Sequence, residues 1–363
     1  MKNKLITFGE IMARFSPPDN LRLAQAMPGN LDVTFAGCEA SVAVSYSILG
    51  GDSSFVTALP NNTLSEACIN NLNSYSVDTS NILRLDKGRF GTYYLESGSN
   101  QRASAVTYDR YKSTISLSKP EDYDWESILK NKEWLHISGI TPALSEHAYN
   151  ATLFCVQKAK SSGLKTSCDL NFRSKLWQWN NSYSARELAR SKMPEIIKHI
   201  DLLVGNEQDA EDVFDIKAQD SNFKNGEINI ESYPKIAKNI SNVFPNLSLI
   251  AITLRESVSA NHNRWGAMLY DCTKKSSIFS PSKKDIYSPF EIKNIVDRLG
   301  AGDSFAAGLI FSLNHLKTDN KNALEFAVAA SCLAHSIKGD YNLSTSDEVF
   351  DLVNGFTSGR VSR

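Results

Sequence analysis

The chain has 363 residues, of which 42% are hydrophobic and 22% charged, and its 39 basic and 40 acidic side chains leave a formal net charge of −1. This length suits one large α/β domain with an insertion, or two domains, with ample material for a core. Without an excess of positive charge, a dedicated nucleic-acid-binding protein is not expected, although a few local arginines could hold a small anion.

The cysteines and the N-terminus indicate a protein of the cell interior. The six cysteines are scattered, and no two of them have a CxxC spacing. We therefore expect buried free thiols in a reducing compartment, not a zinc site or a disulfide framework. The first residues contain lysines but no apolar run of signal length, and no stretch approaches the ~20 apolar residues of a membrane span. These features predict a cytoplasmic protein that does not associate with a membrane.

In chain order, short apolar runs alternate with amphipathic segments. Apolar runs predict strands at residues 5–9, 53–59, 134–137, 165–170, 202–205 and 249–252. Helical periodicity predicts helices at residues 40–49, 64–75, 146–162, 185–199, 207–214 and 232–243, with a polar surface loop at 215–230. Such alternation implies parallel strands connected by helices on both faces of the sheet, and ligands then bind beyond the carboxyl ends of the strands.

Residues 88–110 interrupt this alternation. Two aromatic and β-branched runs at 92–95 and 105–108 flank the polar stretch 97–101, a pattern that is typical of a β-hairpin. We therefore expect a small antiparallel flap attached to the α/β body.

The most specific motif is D-R-L-G-A-G-D-S-F-A-A-G at 297–308. Apolar residues follow it at helical spacing: Phe305, Leu309, Ile310, Leu313 and Leu316. Gly300, Ala301 and Gly302 therefore lie just before, or in the first turn of, an amphipathic helix. Small residues and the positive end of a helix let backbone N–H groups bind phosphoryl oxygens. Asp303 could accept a proton from an attacking hydroxyl, so the motif predicts phosphoryl transfer. Taken alone, however, two glycines followed by an acid need no catalytic role. The glycines could simply form a turn, and an acidic side chain is favourable in the first turn of a helix.

The wider motif resembles the C-terminal signature of the ribokinase-like (PfkB) carbohydrate kinases, D-T-x-G-A-G-D-x-F, with Arg298 in place of the Thr. Further segments in family order extend the resemblance over nearly the whole chain, and within the family they are most similar to 2-keto-3-deoxygluconate kinases. They are Y-D-R (108–110), S-G-I-T-P-A-L-S (138–145), D-L-N-F-R (169–173), G-N-E-Q-D-A (205–210), T-L-R-E-S (253–257) and G-D (339–340). The sequence contains no GxxxxGK[ST] motif, which excludes a Walker-type P-loop.

The resemblance implies a fold, and the predicted hairpin suggests an assembly. The implied fold is an α/β, ribokinase-like three-layer sandwich with a central, mostly parallel sheet and a small β lid. Residues 1–363 would form one kinase domain, with the lid at roughly 12–36 and 88–115. Because an isolated hairpin is marginally stable, the lid is also the expected surface of a homodimer or larger homo-oligomer.

The resemblance also implies an activity: ATP-dependent phosphorylation of 2-keto-3-deoxygluconate at its 6-hydroxyl, with Mg²⁺ and, as a further candidate, a monovalent cation such as K⁺. Asp303 would be the base, and backbone groups of Gly300, Ala301 and Gly302 would stabilise the phosphoryl group. The implied substrate-binding residues are Gly37, Cys38, Ser41, Tyr94, Tyr108, Arg110, Ile140, Arg173 and Asp340. The implied nucleotide-binding residues are Asn171, Asn206, Thr253, Arg255, Glu256, Gly300 and Gly302.

Two of these implied roles have a clear physical basis. Guanidinium forks match carboxylates, so Arg110 and Arg173 would contact an acid substrate. Asp209 ends an N-x-x-D element that resembles the family's N-x-x-E, and its carboxylate would hold Mg²⁺ through water. Simpler explanations also exist: the arginines as surface ion pairs, the tyrosines as hairpin packing and the N-x-x-D element as a helix cap. The histidines show no metal or triad spacing, and we expect them to have structural roles or to lie on the surface.

One segment departs from the family pattern. A-G-C-E-A-S at 36–41 stands where these kinases usually carry G-G-A-E-x-N, so that Ala36 replaces Gly and Ser41 replaces Asn. A serine hydroxyl is shorter than an asparagine side chain and lacks its amide donors. The exact substrate is therefore open. A kinase for fructose, ribose or a nucleoside, and a non-catalytic sugar sensor on a kinase scaffold, are the alternatives.

Overall fold

The computed structural model describes residues 4–217 and 229–356, so most of the predicted polar loop at 215–230 lies outside the described residues. The strands are β1 (Lys4–Phe8), β2 (Met12–Ser16), β3 (Asp32–Ala36), β4 (Asp52–Val56), β5 (Ala58–Pro60), β6 (Leu83–Leu85), β7 (Gly91–Glu96), β8 (Ala105–Asp109), β9 (Trp134–Ser138), β10 (Lys165–Asp169), β11 (Leu202–Gly205), β12 (Leu249–Ser259), β13 (His262–Asp271), β14 (Ser276–Ser280), β15 (Ser282–Lys283), β16 (Ile286–Tyr287) and β17 (Phe290–Lys293). The helices are α1 (Leu23–Ala26), α2 (Cys38–Ile48), α3 (Thr63–Ser74), α4 (Thr114–Leu117), α5 (Trp125–Leu129), α6 (Glu146–Ser161), α7 (Ala185–Ile197), α8 (Glu207–Phe214), α9 (Tyr233–Val243), α10 (Ala301–Phe311), α11 (Asn320–Ala334) and α12 (Ser346–Val353).

The central sheet is mostly parallel, as predicted. Strands β4, β1, β9, β10, β11 and β12 lie side by side in that order and run in the same direction. Beyond β12 the sheet continues antiparallel through β13, which pairs with β14 and, further along, with β17. Every residue of β9 is buried, which requires cover on both faces of the sheet. The fold is therefore the α/β architecture that the alternating pattern indicates.

The strand predicted at 249–252 is only the beginning of a longer one. β12 pairs with β11 through Ile252 and then continues alone with β13 as an antiparallel ribbon as far as Ser259. Most residues of this extension are partly or fully exposed, so it carries no continuous apolar run from which it could have been predicted.

The predicted hairpin is present and belongs to a separate small sheet with the order β3-β2-β7-β8, which we call the lid. Arg14 on β2 lies beside Tyr93 on β7, and Tyr93 pairs with Tyr108 on β8, so these three side chains share one face of the lid. Phe15 and Tyr94 pair one residue further along and occupy the opposite face.

The lid also touches the end of the β12–β13 ribbon. Asn100, in the loop between β7 and β8, donates its N–H to Asn261 Oδ1 at 2.8 Å, and its carbonyl accepts from the Ala260 N–H at 2.7 Å. The lid is thus joined to the body at its tip as well as through its own chain connections.

Two further expectations can be compared with the structure. All six cysteines are free thiols, four of them buried. Within residues 4–217 and 229–356, no helix combines the length and apolar character needed to cross a bilayer.

Candidate active site

A cavity of about 510 Å³ lies where the lid faces the carboxyl ends of the parallel strands. The lid contributes Met12, Tyr93 and Tyr108, and the body contributes residues at or just after the ends of β9, β10 and β11 and residues within β12. Most of the residues singled out in the sequence line this cavity: Gly37, Cys38, Tyr108, Arg110, Ile140, Asn171, Arg173, Asn206, Asp209, Thr253, Arg255, Gly300, Ala301, Gly302, Asp303 and Asp340. Segments far apart in sequence therefore meet at the edge of the sheet where ligands bind in such folds.

The Gly-Ala-Gly turn begins helix α10. Gly300 is the N-cap residue with φ +78°, and a Cβ there would lie 2.1 Å from the carbonyl oxygen of Asp340, so only glycine fits. By contrast, a Cβ on Gly302 would meet no atom within 4 Å. The N-terminus of α10 therefore faces open cavity space, where its N–H groups can bind an anion.

Asp303 lies in the first turn of α10 and lines the same cavity. Burial raises the pKa of its carboxyl group to about 7; a hydrogen bond from Cys38 opposes this shift, and the carboxylates of Asp340 and Glu39 add to it. The Cys38 Sγ donates to Asp303 Oδ1 at 2.7 Å. A carboxylate with a pKa near neutrality and access to a cavity is suited to accept a proton.

Asp340 is held by a buried ion-pair network that links the lid to the signature loop. Arg14, only 2% exposed, donates to Asp340 Oδ1 at 2.6 Å and to Asp297 Oδ2 at 2.5 Å. Tyr93 donates its hydroxyl to Asp340 Oδ2 at 2.9 Å, and Asp297 also accepts the N–H groups of Leu299 and Gly339. The first acid of the signature therefore orders the loop that precedes the glycines.

The arginines of the cavity differ in their freedom to bind an anion. Arg110 is buried and donates both Nε and Nη2 to Glu10 Oε2, so much of its hydrogen-bonding capacity is already used. Arg173 donates only to the Phe172 carbonyl, and among the described residues it makes no ion pair. Of the two arginines that the sequence pairs, Arg173 is the available cation.

The N-x-x-D element begins helix α8 and also lines the cavity. Asn206 and Asp209 form a reciprocal capping box, in which Asp209 Oδ2 accepts the Asn206 N–H at 3.2 Å and Asn206 Oδ1 accepts the Asp209 N–H at 2.9 Å. Asp209 Oδ1 also accepts the Phe172 N–H at 3.0 Å. Both oxygens thus have a backbone partner, which leaves lone pairs for water-mediated contact with a hard cation such as Mg²⁺.

The prediction that Tyr94 binds the substrate is wrong. It lies on the face of the lid away from the cavity and stacks on Phe15 with ring centroids 5.3 Å apart, whereas its neighbour Tyr93 lines the cavity. Since side chains alternate along a strand, Tyr94 and Tyr108 could share a face only if the strand pairing were shifted by one residue.

Ser41 and Glu256 also lie outside this cavity. Ser41 is fully buried within α2, where its hydroxyl has no hydrogen-bond partner among the described residues. Glu256 pairs with Arg264 at 2.9 Å and lines a second cavity of about 1170 Å³ on the far side of the β12–β13 ribbon. Alternation again explains the second case, because Arg255, one residue earlier, faces the first cavity.

Sequence reasoning missed several cavity residues. Arg298 lines the cavity and donates to Asn263 Oδ1 at 2.7 Å, and its replacement of the usual Thr was the available signal. Arg14 and Tyr93 carry no local signal, since their roles depend on strand pairing. His335, expected to be structural, lines the cavity, but its Nδ1 contacts the Ser331 carbonyl at 2.8 Å and burial lowers its pKa to about 4.

A glycine turn at a helix N-terminus, a carboxylate beside it and a lid over the cavity define a kinase of small hydroxylated molecules. The chain belongs to the pfkB family of carbohydrate kinases, which it matches over residues 2–242 and 267–347. It is therefore a carbohydrate kinase.

Two relatives are similar over nearly their whole length. The crystal structure of 2-dehydro-3-deoxygluconokinase from Thermotoga maritima is 40% identical, with a TM-score of 0.87 over 97% of this chain and 100% of the other. The 2-dehydro-3-deoxygalactonokinase of Haloferax volcanii is 29% identical over 99% of both chains. A fructokinase from Xylella fastidiosa solved with bound ATP shares the fold at 16% identity and a TM-score of 0.76, covering 99% of this chain and 100% of the other.

Proposed function

We propose that this enzyme transfers the γ-phosphoryl group of ATP to the 6-hydroxyl of 2-keto-3-deoxygluconate, giving 2-keto-3-deoxy-6-phosphogluconate and ADP. The observation that carries the proposal is Arg173, a cation without an ion-pair partner among the described residues, on the wall of the cavity that contains Asp303. A substrate carboxylate would complete the hydrogen bonding of Arg173. The names of the two relatives above, both kinases of 2-keto-3-deoxy sugar acids, support the same class of substrate.

Asp303 is the proposed base. It accepts the proton of the 6-hydroxyl as the oxygen attacks the γ-phosphorus and the bond from that phosphorus to ADP breaks. The N–H groups at Gly300, Ala301 and Gly302 stabilise the negative charge of the transferred group from the start of α10. Tyr93 and Tyr108 close the cavity from the lid side and limit access of water.

The nucleotide is proposed to extend from this cavity into the second one. The second cavity has an aromatic and aliphatic lining that includes Tyr287, Phe290, Ala329 and Leu352, which suits an adenine base. Residues of the β12–β13 ribbon line both cavities, so the nucleotide would lie along this ribbon. Arg255 faces the first cavity and is suited to bind phosphate oxygens, as are Thr253 on the same strand and Asn171 and Asn206 in neighbouring loops.

Asp209 is the proposed metal-binding residue and would hold Mg²⁺ through water. When bound, Mg²⁺ neutralises phosphate charge and orients the γ-phosphoryl group. A requirement for a monovalent cation such as K⁺ stays a prediction, to be checked by comparing turnover in potassium and in tetramethylammonium buffers.

The test is a substrate panel with ATP and Mg²⁺: 2-keto-3-deoxygluconate, its C4 epimer 2-keto-3-deoxygalactonate, gluconate, fructose, ribose and a nucleoside. We expect the highest kcat/KM for 2-keto-3-deoxygluconate and, by phosphorus NMR of the product, a phosphate on C6. Preference for a neutral sugar would overturn the assignment to sugar acids. The Haloferax relative makes the C4 epimer the second candidate, and a larger kcat/KM for it would decide in its favour.

We also propose a homodimer formed through the outer face of the lid. Val33, Phe15 and Tyr94 pair across three strands on that face, and Val33 is 53% exposed. Such an apolar row on a small sheet is better buried against a second copy. Light scattering at micromolar concentration should give the mass of a dimer for the native protein and of a monomer for Val33→Lys. A monomeric native protein would exclude the proposal.

A further inference from the structure

Three metal-ligating side chains from separate elements meet on the floor of the cavity that contains Asp303. Cys38 is the first residue of α2, Asp169 the last of β10, and Asp303 lies in the first turn of α10. One ligand atom from each lies within 4.8 Å of the others, and all three residues line the cavity. Since three rigid elements carry them, the folded chain itself holds the ligands close together.

The carboxylates of this cluster are only partly compensated by positive charge, because the Arg173 guanidinium acts on both but forms an ion pair with neither. Asp169 is only 7% exposed, and its carboxylate accepts the Asn171 N–H at 3.1 Å; among the described residues neither Asp169 nor Asp303 forms an ion pair. Buried carboxylates repel one another, and they have lost the hydration that would stabilise their charge. A divalent cation would relieve both costs at once.

The thiol determines which cation would fit. Cys38 stands where the related kinases usually carry Ala, so the proposed phosphoryl transfer does not need its sulfur. The Sγ is oriented by two partners, as donor to Asp303 Oδ1 at 2.7 Å and as acceptor from Asn171 Nδ2 at 3.2 Å. A thiolate binds soft or borderline cations such as Zn²⁺ and discriminates against Mg²⁺, which prefers oxygen.

The ligand spacing suits a small tetrahedral ion. Bond lengths of about 2.3 Å to sulfur and about 2.1 Å to oxygen place neighbouring ligands roughly 3.4–3.6 Å apart. The three atoms already lie within 4.8 Å of one another, so side-chain rotations can close the difference. The cavity leaves a fourth position for water.

We propose that Zn²⁺, or a cation of the same thiophilic class, binds Cys38, Asp169 and Asp303 and inhibits the kinase. Binding forms a sulfur–metal bond and releases the thiol proton to solvent, with no change in oxidation state. The ion occupies the carboxylate of Asp303 and competes with the substrate hydroxyl. Inhibition by this route rests on the proposed role of Asp303 as the base.

The experiment combines inhibition with direct detection of the metal–thiolate bond. The native protein, Cys38→Ala, Asp169→Asn and a control variant carrying Cys272→Ser and Cys332→Ser are titrated with buffered Zn²⁺ under excess Mg²⁺-ATP. The control removes the two thiols that are only partly buried. Loss of a direct ligand should raise the half-inhibitory Zn²⁺ concentration at least about tenfold in Cys38→Ala and Asp169→Asn, relative to each variant's own uninhibited rate. The control should match the native protein.

Cobalt provides the readout that needs no turnover. Co²⁺ added to the native protein and to the control should give a thiolate-to-metal charge-transfer band, which Cys38→Ala should lack at an unchanged melting temperature of the apoprotein. Equal inhibition of Cys38→Ala, a band that depends on Cys272 or Cys332, or a band without inhibition would each overturn the proposal. If the protein phosphorylates no sugar acid, the proposed substrate fails, while the cobalt band still tests the cation site.

Discussion

At the scale of single residues, Asp303 combines two properties that rarely coincide in a surface acid. It faces a cavity large enough for a substrate, and burial raises the pKa of its carboxyl group to about 7. The thiol of Cys38 and the carboxylate of Asp340 adjust this pKa in opposite directions. The proposed base therefore changes its ionisation near neutral pH.

The pH dependence of the reaction follows from this pKa. A base must be deprotonated to accept the hydroxyl proton, so kcat/KM should be maximal above pH 7 and fall about tenfold per unit well below it. The measurement is kcat/KM for the sugar acid between pH 5 and 9 at saturating ATP and Mg²⁺. A profile that is level down to pH 5 would contradict the assignment of the base.

Asp303→Asn should lower kcat by roughly 10²–10⁴-fold, because the amide cannot accept the proton. The melting temperature should change little, since the variant has nearly the same shape and removes a buried charge. Asp347→Asn is the matched control, because Asp347 also lies in the first turn of a helix, α12, but is exposed and outside the cavity. Full activity of Asp303→Asn would remove the residue from the mechanism.

Arg173→Ala should raise KM for the sugar acid by about 10- to 100-fold, the effect of losing a hydrogen bond to a charged group. The weak turnover of a neutral sugar should be affected much less. Lys175→Ala removes a neighbouring exposed cation and serves as the control for general electrostatics. Equal losses with acid and neutral substrates would show that Arg173 does not contact the carboxylate.

At the scale of elements, the buried helices and strands could be predicted from the sequence. Segments whose position depends on pairing with a neighbouring strand could not. The helix at 207–214 and the strand at 202–205 were predicted with the bounds that the structure has. The strand is an unbroken apolar run that ends at Gly205, and the helix begins directly after the capping residue Asn206. The ribbon extension of β12 was missed, because its residues pair mainly with β13 and pack against little else. Position along a strand fixes the face, and an error of one residue separated Tyr94 from Tyr93.

The glycine at the start of α10 offers a stability test with an internal control. Gly300 and Gly163 both have φ +78°, but a Cβ on Gly163 would meet nothing within 4 Å, while one on Gly300 would lie 2.1 Å from the Asp340 carbonyl. Gly163→Ala should cost about 1–2 kcal/mol in the free energy of unfolding through backbone strain alone. Gly300→Ala should cost distinctly more, as measured by urea denaturation. Equal costs would mean that the loop at Asp340 yields freely.

At the scale of the whole molecule, the cavity depends on contact between two sheets that share no strand. The lid supplies one wall and the ends of the parallel strands supply the other. Hydrophobic patterning within each element contains no information on this juxtaposition. Only the family resemblance, carried by motifs from both parts, placed the two together.

The contact between the lid tip and the β12–β13 ribbon should control local opening. Asn261→Ala removes the acceptor for the Asn100 N–H, so amide exchange in residues 97–104 should accelerate by about tenfold while exchange in β9 stays unchanged. Asn246→Ala, which removes an amide that donates to the carbonyls of Ile197 and Ile200 elsewhere, is the control. Unchanged exchange at Asn100 would indicate that the tip is held by other contacts.

The ion pairs of Arg14 hold the root of the lid against the body. Separating this guanidinium from Asp297 and Asp340 would leave buried charges unpaired at a cost of several kcal/mol. The root of the lid is therefore expected to stay in place when the lid opens. Among the described residues, the tip loop contacts the β12–β13 ribbon through hydrogen bonds to neutral groups, and the ion pair between Asp32 and Lys338 at the far end of β3 is exposed, so these contacts cost far less to break. We therefore expect the free end of the lid to lift while its root stays fixed beside the phosphoryl-transfer loop. Substrate and product would pass beneath that free end.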